Sequence, residues 1–257
     1  MGEKIIMDLA KNLPGPIKTI LRPIYYLIYK PNKHHSELSF WKSRLELDDG
    51  KFKNSHYRKL MLAIADEIDE TFLAGKTIAD FGCGPRGSLV WASQASVKIG
   101  IDVLADAYAE NFKNNIISHG MIYVKSTEEV IPLPSNYIDI LFTLNAMDHV
   151  DNFEETCKEV IRIIRPGGEL IASFNINEHP TSCEPQMLTE ELIKENLLNY
   201  LGIKSYRISN SRPEDLYGPM LEGNISYKKE EPGIIWVRAT KPNSETQENS
   251  IRKENDL

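Results

Sequence analysis

From Lys76 onward, short β-rich runs alternate with helical patterns, and that alternation restricts the fold of this chain more than any other feature. The runs are Thr77 to Phe81, Val97 to Ile101, Met121 to Val124, Ile138 to Leu144 and Glu169 to Phe174. Among the segments between them, Asn152 to Arg165 places Phe153, Cys157, Val160, Ile161 and Ile164 on one side, and Arg165-Pro166-Gly167-Gly168 then turns the chain into the next run. Strands joined through helices run parallel and are covered on both faces. After Thr189, which can cap a helix reaching Tyr200, two more β-like runs follow, Ile203 to Ile208 and Ile234 to Ala239. The expectation is an α/β fold of three layers, with a seven-stranded, mostly parallel sheet finished by an antiparallel last strand.

The alternation does not begin at residue 1. Ahead of it, Ile17, Ile20, Leu21, Ile24, Leu27 and Ile28 recur at helical spacing around Pro23. Met61, Ile64, Ala65, Ile68 and Phe72 stripe a second helix from Tyr57 to about Phe72, closed by Gly75. The division is an N-terminal helical arm and lid over 1–75, a sheet domain over 76–240 and a polar tail over 241–257. Residues 1–35 carry six Lys or Arg against two acids, a balance of +4, which leaves −11 for the rest of a chain whose total is −7. That acidic bulk argues against nucleic acid as a partner, whereas the basic arm suits either packing on the domain or a peripheral membrane contact. The apolar stretch Pro23 to Tyr29 is far short of the roughly 20 residues that cross a bilayer. Cys83, Cys157 and Cys183 are odd in number and widely spaced, which predicts a reducing cytoplasm, no disulfide framework and no metal.

The first strand runs into Ala79-Asp80-Phe81-Gly82-Cys83-Gly84-Pro85-Arg86-Gly87-Ser88, a G-x-G-x-x-G loop. Glycines there allow a tight turn into a following helix and let a nucleotide approach the backbone. Asp102, at the end of the second strand, can accept from two ribose hydroxyls. Both features serve a dinucleotide or S-adenosylmethionine (SAM) equally, so an oxidoreductase and a methyltransferase remain open on the glycines. Asp80 discriminates: a carboxylate at the strand mouth repels a pyrophosphate and favours the cationic methionyl part of SAM.

The set formed by Asp80-Phe81-Gly82-Cys83-Gly84, Ile101-Asp102, Val130 to Pro134 leading to Tyr137-Ile138-Asp139-Ile140-Leu141-Phe142, Asn145 to Val150, and Ile164 to Leu170 resembles the class I SAM-dependent methyltransferases. It resembles in particular their UbiE-like small-molecule group. The resemblance covers about Lys76 to Phe174 and implies a Rossmann-like fold under an N-terminal helical lid. It also implies that Asp80, Gly82 and Gly84 flank the methionyl and ribose parts of SAM and that Asp102 takes the ribose hydroxyls. Asn145 would face both cofactor and acceptor. Where the family usually has an acid for the adenine amine, this chain has Ser126, Thr127 and Glu128, so a hydroxyl, a backbone group or Glu128 takes that role.

Methyl transfer from a sulfonium is an in-line displacement that needs mostly positioning and dryness, plus a base if the acceptor carries a proton. His149, just past the fourth strand, is the candidate base, with Asp148 beside it; the alternative is that both merely open the next helix. The Pro-bounded loop Asn177 to Pro185 follows the fifth strand and offers His179 and Glu184 to a substrate, or only routes the chain. Tyr57, with Phe40-Trp41 and the neighbouring His56 and Arg58, either closes on the ligands or forms lid core. The expected activity is transfer of a methyl group to an oxygen or nitrogen of a small metabolite or glycosyl group. A nucleotide-dependent oxidoreductase and a non-catalytic module docking through its basic arm are the rivals.

Overall fold

In a computed structural model, residues 33–243 are described, apart from 128, 182, 213, 214 and 224. The helix expected around Ile17 to Tyr29, nearly all of the basic arm, Glu128 and residues 244–257 of the tail lie outside the described residues. Residues 33–47 form helix α1, and His56–Ala65 form α2. The strands are β1 (Thr77–Phe81), β2 (Val97–Asp102), β3 (Ile122–Lys125), β4 (Ile138–Leu144), β5 (Ile164–Ile176), β6 (Gly202–Asn210) and β7 (Gly233–Thr240). The remaining helices are α3 (Ala105–Asn111), α4 (Lys113–Ser118), α5 (Phe153–Ile163), α6 (Glu190–Asn196) and the single turn α7 (Gly218–Leu221).

The seven strands form one sheet in the order β3-β2-β1-β4-β5-β7-β6. All pairings from β3 across to β5 are parallel, and β7 runs antiparallel to both of its neighbours, as the two late β-like runs predict. The reason lies in β4, whose residues 138–144 are almost continuously apolar because both faces are covered. Ile138 and Leu141 pack with α5 and α6 on one side. Ile140 and Phe142 pack with α2, Leu89 and Trp236 on the other. A smaller cluster of Phe52, Leu104, Tyr108 and Phe112 receives Leu38, Trp41 and Leu45, and so seats α1 on α3. The chain leaves β1 in one direction for β2 and β3 and returns on its other side for β4. That reversal opens a crevice at the C-terminal ends of β1 and β4, where such sheets bind ligands.

Two expectations need correction. The helix read from Tyr57 to Phe72 ends at Ala65, where Asp66 turns left-handed at φ 58°, and Ile68 is 95% exposed. Arg207 donates to the carbonyls of Ala63 and Ile64, and Arg238 to that of Ala65, so two side chains from the sheet cap the helix end. Glu70–Leu73 resumes as a 3-10 turn capped by Asp69. The second correction concerns the glycine loop: no helix lies between β1 and β2. Residues 82–96 cross that gap in turns, because Gly82, Gly84 and Gly87 all take positive φ and Pro85 sits among them.

Arg238 also reaches Glu67 at 2.8 Å and the buried Glu169 at 2.9 Å. Arg238→Met keeps the stem but leaves the Ala65 carbonyl, Glu67 and Glu169 without this donor. A loss of about 2–4 kcal/mol in urea unfolding at pH 7 is expected; a loss below about 0.5 kcal/mol would show that the cap is dispensable.

Candidate active site

The crevice encloses a cavity of about 540 Å³ floored by the ends of four parallel strands and covered by α1. Phe81 to Gly84 come from β1, Asp102 from β2, Ser126 and Thr127 from β3, and Leu144 to Ala146 from β4. Lys33, Glu37, Phe40 and Trp41 descend from α1, with Tyr57 from α2 and Glu184 from the loop after β5.

The glycines are spatial necessities here. At Gly82, φ is 72° and an added Cβ would fall 2.2 Å from that of Ala146; at Gly84, φ is 57° and it would fall 2.8 Å from the Trp41 ring. Gly87 stands outside the cavity against His119, whose pKa burial lowers to about 4. With that glycine displaced and no helix after it, the loop lacks the helix N-terminus that a pyrophosphate needs. Arg86 does not face the cavity either, since its guanidinium holds Asp48 beyond the end of α1 at 2.7 Å.

Asp102 is the best-held acid of the site. Its Oδ2 accepts from the Gly84 N–H at 3.0 Å and its Oδ1 from the Leu104 N–H at 2.9 Å, while burial raises its pKa to about 6 despite those bonds. Asp80 is different: it is 3% exposed, lies beneath the loop and does not line the cavity. Ser88 donates to its Oδ2, Oδ1 has no partner among the described residues, and burial raises its pKa to about 7. Burial likewise pushes the Tyr57 hydroxyl far up, with the Asp80 charge adding to the effect.

Beside β3, Thr127 lines the cavity, but its hydroxyl accepts from the Val130 N–H at 3.0 Å and so serves the turn. Ser126 is 2% exposed, lines the same wall, and has a hydroxyl without a partner among the described residues. Among the described residues, the polar group left free on this wall is therefore one residue earlier than Thr127. Asn145 sits at φ 48° at the end of β4, accepting from Ser173 at 2.8 Å and donating to the Tyr217 hydroxyl at 3.0 Å.

His149 stands at the mouth between two carboxylates, Nδ1 3.4 Å from Glu37 and Nε2 3.6 Å from Glu184. Burial alone would lower its pKa, but the Glu37 hydrogen bond and the charges of Asp148, Glu37 and Glu184 outweigh it and raise the value. Asp148 lies behind, 5% exposed, with burial raising its own pKa. His179 is not brought here. The chain turns left-handed at Asn177, and His179 lines a separate cavity of about 870 Å³ with Asn175, Glu178 and Arg212. Glu37 and Lys33 had no signal of their own in the sequence; the adjacent Phe40-Trp41 pair was the nearest pointer.

Residues 79–172 match the methyltransferase domain family. The malonyl-[acyl-carrier protein] O-methyltransferase of Enterobacter lignolyticus is 32% identical over 94 residues, covering 36% of this chain and 36% of that protein. The ubiquinone biosynthesis O-methyltransferase of Saccharophagus degradans is 31% identical over 140 residues, covering 51% of this chain and 56% of that protein. The chain thus spans about a third to just over half the length of these two curated relatives. Among solved structures, the [4+2]-cyclase SpnF superposes with a TM-score of 0.54 at 18% identity, covering 72% of this chain and 81% of that one. A phosphoethanolamine N-methyltransferase of Haemonchus contortus gives 0.52 at 15% identity, covering 76% and 55%. These two likenesses carry the fold, which hosts more than one chemistry.

The raised pKa of Asp80 has a thermodynamic sign. Between the ordinary carboxylate range and about pH 7, the unfolded chain loses this proton while the folded chain keeps it, so stability falls with rising pH and the deficit is complete above pH 7. Asp80→Asn is therefore expected to raise the stability of the ligand-free protein by roughly 2–4 kcal/mol at pH 8 and by little at pH 4. Equal effects at both pH values in chemical denaturation would refute the assignment.

Proposed function

We propose that this chain, which carries a SAM-dependent methyltransferase domain of the class I fold, transfers a methyl group to an oxygen or nitrogen of a small molecule, glycosyl groups included. The observation that carries the reading is the joining of two half-sites in one cavity: an acid-floored glycine cradle at β1 and β2, and a proton-accepting cluster at the mouth of β4.

The cradle fits a cationic nucleoside. Asp102 is held by two backbone N–H groups with lone pairs left for ribose hydroxyls. Asp80 keeps an unpartnered oxygen under the loop, so a cationic methionyl group above it lowers the cost of its ionisation. The Ser126 hydroxyl, in place of Thr127 or Glu128, is the group offered to the adenine edge. When bound, SAM supplies an electrophilic methyl on a sulfonium.

The other residues position and protect. Trp41 lies over Gly84 and lines the cavity with Phe40 and Val150, an apolar wall against which a bound ligand displaces water. Asn145 is fixed through both ends of its amide, so its backbone at the β4 terminus separates the donor half from the acceptor half. An acceptor O–H or N–H entering past His149 meets Glu37, His149 and Glu184, with Asp148 behind the imidazole, and its proton leaves to this cluster. The relatives named as O-methyltransferases support an oxygen acceptor.

The test combines S-adenosylhomocysteine with labelled SAM. The inhibitor is expected to raise the melting temperature, and incubation with deuterated-methyl SAM and metabolite extracts should yield a product bearing the labelled methyl. His149→Ala is expected to lower product formation about 100-fold or more with the inhibitor's stabilisation retained. Stabilisation by NAD and not by the SAM product, or no labelled product from any extract fraction, would sink the proposal.

A further inference from the structure

Displacement at a sulfonium methyl does not require three carboxylates around one imidazole, yet the cavity mouth has them. Asp148, His149 and Glu184 each offer one ligand atom, and these atoms all lie within 4.8 Å of one another. Asp148 is 95% buried and its Oδ1 has no hydrogen-bond partner among the described residues, a costly state for a carboxylate oxygen unless something else satisfies it. The second observation is the orientation of the ring. Glu37, reaching down from α1, holds Nδ1 at 3.4 Å, and this turns Nε2 toward Glu184 at 3.6 Å. Histidines that ligate metals are held in this way, one ring nitrogen on a carboxylate and the other facing the ion.

We propose that Asp148, His149 and Glu184 bind one divalent cation on the acceptor side of the cavity, with Glu37 as the positioning residue for His149. Two carboxylate oxygens and one imidazole nitrogen suit Mn²⁺, Fe²⁺ or Zn²⁺, and three protein ligands leave coordination positions open. The nearby cation Lys33 pairs with Asp151 at 3.2 Å and donates to the His149 carbonyl.

The choice of acceptor rests on the methyl-transfer reading; the ion site itself does not. An ion here selects an acceptor hydroxyl with a second oxygen beside it, able to fill two open positions, over a protonated amine, which it repels. The ion acidifies the hydroxyl it binds. The O–H proton passes to water at the partly exposed Glu184, the oxygen bonds to the methyl carbon, and the C–S bond breaks with its electron pair left on a neutral sulfur. His149 is then a ligand instead of the base.

The full chain, stripped with EDTA and dialysed, is titrated with Mn²⁺ alone and followed by calorimetry and the electron-spin resonance of free Mn²⁺. One ion per chain is expected, weakened at least about tenfold by Asp148→Asn, by Glu184→Gln and by Glu37→Gln. Stabilisation by S-adenosylhomocysteine, read on the same variants, is expected to persist and reports that they fold. No saturable binding up to about 1 mM Mn²⁺, or equal binding by the wild type and the Asp148→Asn and Glu184→Gln variants, overturns the proposal. Metal binding without any response to S-adenosylhomocysteine would instead strike the methyl-transfer reading and leave the ion site standing.

Discussion

The Asp102 carboxylate ties the molecule's working end together. With one oxygen on the Gly84 N–H and the other on the Leu104 N–H, it fastens the loop leaving β1 to the turn leaving β2. The Gly82 N–H, bonded to the Ile101 carbonyl at 2.8 Å, adds a third link across the same pair. Without a helix after the loop, these bonds hold its left-handed path. Its path keeps Asp102 in the cavity wall and Asp80 buried beneath the loop, where the Asp102 charge adds to the burial that raises the Asp80 pKa.

The cover is held from both ends. Arg86, inside the loop, pairs with Asp48 past the end of α1, while Lys33 at the other end reaches Asp151 and the His149 carbonyl. Between them Trp41 meets Gly84 and Glu37 meets His149. The same helix therefore touches the cradle and the mouth, so its seating is felt by both halves of the site.

Much of this was legible in the sequence because parallel strands buried on both faces have few choices. Ile138 to Leu144 could hardly be anything but a central strand, and the runs after Thr189 gave the antiparallel finish. The positions of Asp102, Asn145, His149 and Glu184 followed from counting to the strand ends. What stayed hidden depended on contacts distant in the chain. Arg207 and Arg238 cut α2 short from more than 140 residues away. Glu37 reads as one more polar residue on a helix until folding sets it against His149. Asp80 reads in the sequence as a carboxylate flanking the methionyl part of the cofactor, but its side chain turns under the loop to Ser88, since the alternation of a strand sends it to the opposite side from Phe81. His179 and Glu184 looked like one cluster because only four residues separate them; the left-handed turn at Asn177 and the Thr181–Glu184 turn divide them between two cavities.

Among the described residues β7 is the last strand in chain order but not the last in the sheet. It lies between β5 and β6, with Ile235, Val237 and Ala239 completing one core face and Ile234 and Trp236 the other. During synthesis, at roughly 5–20 residues per second, neither face can close until the ribosome has passed Thr240. Until then, β5 presents an unpaired edge and β6 has no neighbour at all. The half of the sheet carrying the cradle can pair early, whereas the half bearing the loop with Glu184 waits, exposed, for the final strand to be inserted.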